Sequence, residues 1–347
     1  MSLPPLKLVL TAVGCPGAAT LIRMLKANGE REIRIVGVDV RADAVGRFLC
    51  DDFATVPPGA GDDYVPALAT VVARERPDVL FVQSSAEVGP VARSRATFTD
   101  LGARVLVAAP EAVALCADKA ALYAALQGTT VPQPKSIVPA SLDEFVAAAR
   151  DLGYPDAPVC FKPPVAKGSR GFHVLQPRVD VAHQLLAERG GSLPLTLDDF
   201  VTAFRDLRPF PRLLLMEFVE GPEYTVDALA GAGEVVLHQT KTREEISTGL
   251  AMAFKTVDRP DLVRVSGEIC RTAGLDWFVN IQFKGDRLLE VNPRVSTFVY
   301  QEDFNLPYLG IKYALGELDR EAVALAQVAV RPSRRTVRYY DQLFWDA

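Results

Sequence analysis

Three polar side chains near the C-terminal end, Glu290, Asn292 and Arg294, stand at alternate positions in Leu-Leu-Glu-Val-Asn-Pro-Arg, residues 288 to 294. Side chains in a β-strand repeat every second residue, so these three share one face, successive groups ~7 Å apart, with Leu289 and Val291 on the other. A carboxylate beside a carboxamide oxygen suits a hard divalent cation that keeps several waters and shares phosphate oxygens. A guanidinium one step further can hold an anion beside it. Trp277 to Lys284 reads as the partner strand, across the turn signal Lys284-Gly285-Asp286-Arg287. Gln282 joins the polar face only if paired residue numbers sum to an even value, which requires a connection of three or five residues. A solvated hairpin face would show the same Glu-x-Asn pattern. Pro293, which ends the ladder, and the stretches upstream weigh towards a site.

The first such stretch is Val159-Cys160-Phe161-Lys162, then Lys167-Gly168-Ser169-Arg170-Gly171, then Phe172 to Leu175. It reads as strand, loop, strand. Glycines let successive N–H groups turn towards one anion, and Lys162 and Lys167 add charge. The pattern is not a Walker A loop, since no Gly-Lys-Ser/Thr leads into a helix; a flap over phosphates and a plain hairpin turn fit equally. Next, the buried-strand run Arg212 to Met216 leads into Glu217-Phe218-Val219-Glu220-Gly221-Pro222-Glu223. Backbone groups exposed where a strand leaves its sheet can pair with the edge of an adenine while Glu223 accepts from ribose hydroxyls; an acidic link between domains reads the same way. Lys119, behind Asp118, is by itself one surface lysine among many.

These groups need a scaffold. A chain of 347 residues exceeds one ordinary core, so two or three domains are expected. Residues 6 to 115 alternate apolar strands with helical segments: Leu6–Val13, a helix near Ala18–Ala27, Ile33–Val38 ending at Asp39, a helix before Val79–Gln83, and Arg104–Val107. That alternation predicts an α/β unit with parallel strands, Rossmann-like. It also raises a nicotinamide-dependent oxidoreductase with Asp39 on a ribose, but Gly-Cys-Pro-Gly is not Gly-x-Gly-x-x-Gly. Glu87, in the loop after the strand run Val79–Gln83, either touches a ligand at the sheet's carboxyl edge or belongs to a helix start. Pro110-Glu111 and Asp118-Lys119 open helices, and Ser141 to Glu144 is a capping box. Tyr224–Leu229 and Glu234–Gln239 form a hairpin leading into Lys241 and Arg243, and the aromatic tail from Arg331 forms a closing strand or docks on a neighbour.

With a net charge of -5, the chain lacks the basic stripe that nucleic acid demands. It has no apolar run long enough to span a membrane, and its N-terminus lacks a basic leader. Five cysteines without metal spacing fit a reducing compartment, hence the cytoplasm. Three isolated histidines give no basis for a zinc or triad mechanism.

Taken in order, Asp118-Lys119, Lys162 before a glycine-rich loop, Glu217-Phe218-Val219-Glu220-Gly221-Pro222-Glu223, and Gln282 with Glu290-x-Asn292-Pro293-Arg294 resemble the ATP-grasp superfamily, most closely its carbamoyl-phosphate synthase large-subunit-like branch with its carboxylate–amine ligases. The resemblance covers the chain to about Glu317. It implies a Rossmann-like domain over 1–112, then a two-lobed, α+β ATP-grasp domain with an N-terminal part over 113–225 (lid within about 154–216) and a C-terminal part over 226–347. It implies ATP and Mg2+, or Mn2+ in its place. Lys119 and Lys162 would contact phosphates, with the flap Lys167, Gly168, Ser169 and Gly171 closing over them. Glu217, Phe218 and Val219 would frame the adenine and Glu223 the ribose. Gln282, Glu290 and Asn292 would hold the metal, and Arg294, Lys241 and Arg243 would do the chemistry. The activity implied joins a small carboxylic acid or amino acid to an amine through an acyl phosphate, with homodimerisation left open. A catalytically silent ATP-binding subunit of the same fold is the alternative.

Overall fold

The computed structural model describes residues 3–166, 170–187, 194–247, 250–296 and 303–346. The flap residues Lys167, Gly168 and Ser169 lie outside them.

The first sheet forms as its alternation predicts. β1 (Leu6–Thr11), β2 (Ile33–Asp39), β3 (Asp52–Thr55), β4 (Val79–Phe81) and β5 (Arg104–Val105) pair in parallel in the order β3-β2-β1-β4-β5. Helices Ala18–Lys26 and Tyr64–Glu75 return the chain between strands. The short β3 has no counterpart among the strands expected from sequence. The strand order reverses between β1 and β4, so the crevice beyond their carboxyl ends is where such sheets take ligands. Ser85, the first residue of helix Ser85–Arg93, stands there.

A second sheet joins β6 (Ser136–Ile137), β7 (Val159–Lys162), β8 (His173–Leu175) and β9 (Leu214–Glu217) in the order β6-β9-β7-β8. Helices Leu142–Asp151 and Leu197–Phe204 cover it, and Phe145 and Phe200 stack with ring centroids 3.9 Å apart in its core. β7 and β8 form the expected hairpin. Gly171, in the loop between them, has φ +69°, and a Cβ there would stand 2.8 Å from Pro163 Cδ, so this position takes glycine.

The third sheet carries the polar residues. β10 (Glu223–Gly231), β11 (Glu234–Thr242), β14 (Trp277–Lys284) and β15 (Arg287–Asn292) run antiparallel in the order β11-β10-β14-β15. A smaller sheet of β12 (Glu245–Ser247), β13 (Leu250–Lys255) and β16 (Arg335–Val337) folds beside it, so the tail does supply a closing strand. Trp345 then packs on Phe48, with ring centroids 4.8 Å apart.

The β14–β15 hairpin meets the even-sum requirement by a different route from the one expected. The connection has two residues, with Gly285 at the first central position at φ +58°, and Lys284 pairs with Arg287 and Phe283 with Leu288. That register would set Gln282 opposite Leu289. A β-bulge between Gln282 and Phe283 in the pairing leaves Leu289 without a cross-strand partner, and Gln282 instead faces Glu290 and Asn280 faces Asn292. Leu288 and Leu289 turn their carbonyls to the buried Tyr123 hydroxyl, 2.9 and 3.1 Å away. Deleting Leu289 would remove the unpaired residue and leave a regular ladder in which Gln282 still faces Glu290 and Asn280 still faces Asn292. The deletion variant is expected to keep both its far-ultraviolet circular dichroism and its Mg2+-dependent binding of a non-hydrolysable ATP analogue in calorimetry; binding lost with the fold intact would show that the pairing register alone does not set the site.

Candidate active site

Cross-strand pairing extends the polar face over all four strands. Lys241, Thr225, Gln282 and Glu290 form one row; Gln239, Asp227, Asn280 and Asn292 form the next. Within this grid each charge has a partner. Lys241 Nζ lies 2.5 Å from Asp227 Oδ2, both almost fully buried, and Asn280 Nδ2 donates to Asp227 Oδ1 at 2.6 Å. Burial pushes the Lys241 ammonium down from its ordinary value while Asp227 opposes it. Thr225, Asp227, Gln239 and Asn280 were not singled out from sequence, although they show the same alternation that marks Glu290 and Asn292.

At the β15 edge, Lys119 reaches Glu290. It opens helix Lys119–Ala125, whose N-cap Asp118 accepts from Ala121 N–H at 3.0 Å. The lysine is only 6% exposed, against the expectation of a surface group; its Nζ lies 3.3 Å from Glu290 Oε2 and donates to Ala166 O at 2.9 Å. Asn292 Nδ2 donates to Glu290 Oε1 at 3.0 Å. Burial would raise the Glu290 carboxyl, but Lys119, Asn292 and Lys162 together outweigh it and hold the group below the ordinary carboxylate range. Lys162 itself is pushed down to about 8, first by burial and then by Lys119.

One cavity collects Lys119, Lys162, Arg170, Glu217, Phe218, Val219, Glu223, Lys241, Arg243, Gln282, Glu290, Asn292 and Arg294 among its lining residues, bringing together the described residues expected from sequence apart from Gly171. Three of them are engaged in ways sequence did not suggest. Glu223 faces two cations, Arg243 at 3.2 Å and Lys284 at 3.3 Å. Gln282 accepts from Arg243 at 2.6 Å and donates to Asn280 at 3.1 Å, so its oxygen points to Arg243 rather than Glu290. Glu217 N–H donates to Lys135 O and its side chain accepts from Lys135 N–H, both at 3.0 Å, so a ligand would use its carbonyl. Arg294 crosses to the first sheet, donating to Ser85 Oγ at 2.8 Å. Glu87 lies in the first turn of that helix, outside the cavity lining, and accepts from Thr11 Oγ1 at 2.6 Å; burial pushes its carboxyl up to about 7. Asp39 accepts from Gly14 N–H at 2.7 Å and Arg41 N–H at 3.0 Å, so it holds its own turn.

A hard cation fits this donor set. Glu290 is held ionised beside the Asn292 carboxamide, and among the described residues no cluster of three His, Cys, Asp or Glu offers a softer or more highly charged site. Gln282 would complete it by exchanging Arg243 for the metal.

A family profile described as ATP-grasp in the biosynthetic pathway with Ter operon matches residues 209–336, the stretch from just before β9 to within β16. The large chain of carbamoyl phosphate synthase from Thermomicrobium roseum is 29% identical over 211 residues. The profile and the synthase alignment together support the ATP-grasp superfamily for this chain. That alignment covers 57% of this chain and 18% of the synthase, so the chain spans about a fifth of the length of that curated relative. Two solved structures share the ATP-grasp fold. Biotin carboxylase from Campylobacter jejuni, complexed with a β,γ-ATP ligand, superposes with TM-score 0.68 at 17% identity, over 91% of this chain and 73% of that one. N5-carboxyaminoimidazole synthetase from Staphylococcus aureus, complexed with ADP, gives 0.58 at 10% identity, over 96% and 80%.

The lowered Lys162 value carries a pH dependence. A phosphate held against Lys162 would favour its charged form, so nucleotide affinity would be full below about pH 8 and fall as pH rises from there towards the higher value Lys162 would take in the complex. Calorimetric titration of ADP from pH 7 to 9.5 is expected to show that decline in the wild type and a flatter profile in Lys162→Gln. Parallel profiles would assign the decline elsewhere.

Proposed function

We propose that this chain is an ATP- and Mg2+-dependent carboxylate–amine ligase that works through an acyl phosphate. The observation that carries the reading is the continuous arrangement of Lys162, Lys119, Glu290, Asn292 and Arg294 around one cavity, reaching from the β7–β8 hairpin to the crevice of the first sheet. Such a set neutralises and orients phosphates without a Cys nucleophile: the two cysteine thiols lining the cavity, Cys116 and Cys160, are each pushed up to about 12 by burial.

In this reading Lys119 and Lys162 hold the nucleotide phosphates, the Glu217 carbonyl and Val219 receive the adenine, and Glu223 faces the ribose. Glu290 and Asn292, joined by Gln282, would hold Mg2+, which supplies charge neutralisation at the phosphate oxygens. A carboxylate oxygen of the acid attacks the γ-phosphorus and ADP leaves. The amine nitrogen then attacks the acyl carbon, phosphate departs with the C–O bonding pair, and the amine gives up a proton. Arg294 stands where it can orient the acid and steady the transferred phosphoryl group, with Lys241 and Arg243, each paired to a carboxylate, lining the same cavity across the sheet. Chemistry of this kind needs no covalent help from the protein; it needs placement and the exclusion of water.

Release of ADP is expected to depend on the presence of the correct acid, and hydroxylamine should capture the activated acyl group as a hydroxamate. Arg294→Gln is expected to lower kcat on the order of a hundredfold with ATP affinity nearly unchanged. Tight nucleotide binding with only background ATP consumption across a broad matrix of acids and amines would favour the catalytically silent subunit instead.

A further inference from the structure

The side of the cavity opposite Lys119 is lined by hydrocarbon. Ile246, Leu250, Ala251 and Phe254, from β12 and β13, line it. Phe254 is 1% exposed and lies under Lys241, whose Nζ is 4.8 Å from the ring centroid. The cations on this side already have carboxylates, Lys241 with Asp227 and Arg243 with Glu223. A substrate reaching this wall therefore meets carbon together with charges that are already compensated.

The wall also lies well away from the metal-side pair. Lys241 and Glu290 occupy the same row at opposite edges of a four-stranded sheet, three strand spacings apart, or roughly 14 Å. An acid as small as bicarbonate or acetate, held between Asn292 and Arg294, leaves that wall uncovered, whereas a body of several carbons spans towards it. The carboxylates on this side, Asp227 and Glu223, are already paired with Lys241 and Arg243, so neither is left to hold the ammonium form in which an amine arrives.

Resting on the ligase reading above, we propose that β12 and β13 form an apolar subsite for the hydrocarbon body of the carboxylic acid, so that the acid activated is an alkyl- or aryl-bearing one rather than bicarbonate. Burying one methylene is worth ~0.8 kcal/mol, or about fourfold in affinity.

The test is calorimetric titration of straight-chain carboxylates, acetate to hexanoate, into the full chain saturated with Mg2+ and a non-hydrolysable ATP analogue. Affinity is expected to rise about fourfold per methylene over at least three methylenes. The double variant Ile246→Asn, Leu250→Asn should flatten the series while leaving affinity for the analogue unchanged; Ile246 is 46% exposed, so a polar replacement there leaves the core intact. A flat series in the wild type, an unaltered series in the variant, or chain-length dependence that appears with alkylamines in place of carboxylates would overturn the subsite. Failure of the analogue itself to bind would overturn the ligase reading and the subsite with it, and is distinguished from those outcomes by the first titration.

Discussion

Leu289 has no partner across the β14–β15 ladder, and the direction of every polar group after it depends on that residue being bulged out of the pairing. A two-residue connection alone would present Leu289 to the cavity face and send Glu290 and Asn292 to the other. The bulge corrects the parity, and the Tyr123 hydroxyl donates to the Leu288 and Leu289 carbonyls at the irregular step of the ladder. Local backbone irregularity thus does what a longer loop would have done, while keeping the tight Gly285 turn whose N–H donates to Pro222 O at 2.8 Å.

Around that register the site is held by compensation of charge. Glu290 is stabilised as an anion by Lys119, Asp227 balances Lys241, and Glu223 lies between Arg243 and Lys284. Removing one member of a buried pair strands the other, so these groups fix one another's positions. The same arrangement keeps the grid ready for polyanionic ligands without leaving uncompensated charge in its interior. Arg294 stands at the border of this grid, bonded to Ser85 where the strand order of the first sheet reverses, and thereby links the third sheet to the crevice beside it.

Much of this was legible in the chain because periodicity reports it. The apolar runs of β1, β2 and β4 and the capping residues Asp118 and Ser141 mark their elements where the structure has them. β3 escaped because Asp52–Thr55 has only four residues and no fully buried side chain to give a period. The bulge escaped because alternation counts residues within a strand and says nothing about an extra one in its partner. The further grid residues Thr225, Asp227, Gln239 and Asn280 are visible at period two, yet they gain meaning only once β10 is known to lie between β11 and β14. Lys119 shows the limit most clearly: its residue type predicts exposure, and only the packing of its helix against β15 and the β7–β8 hairpin buries it.

The account stands on one local claim, that Glu290 and Asn292 present oxygens to a divalent cation shared with a nucleotide. Electron paramagnetic resonance of Mn2+ substituted for Mg2+ addresses it directly, by counting bound Mn2+ with and without a non-hydrolysable ATP analogue in the wild type and in Glu290→Gln. The account predicts tight Mn2+ binding that requires both the nucleotide and the Glu290 carboxylate. Equal binding in the two proteins, or binding indifferent to the nucleotide, would contradict it.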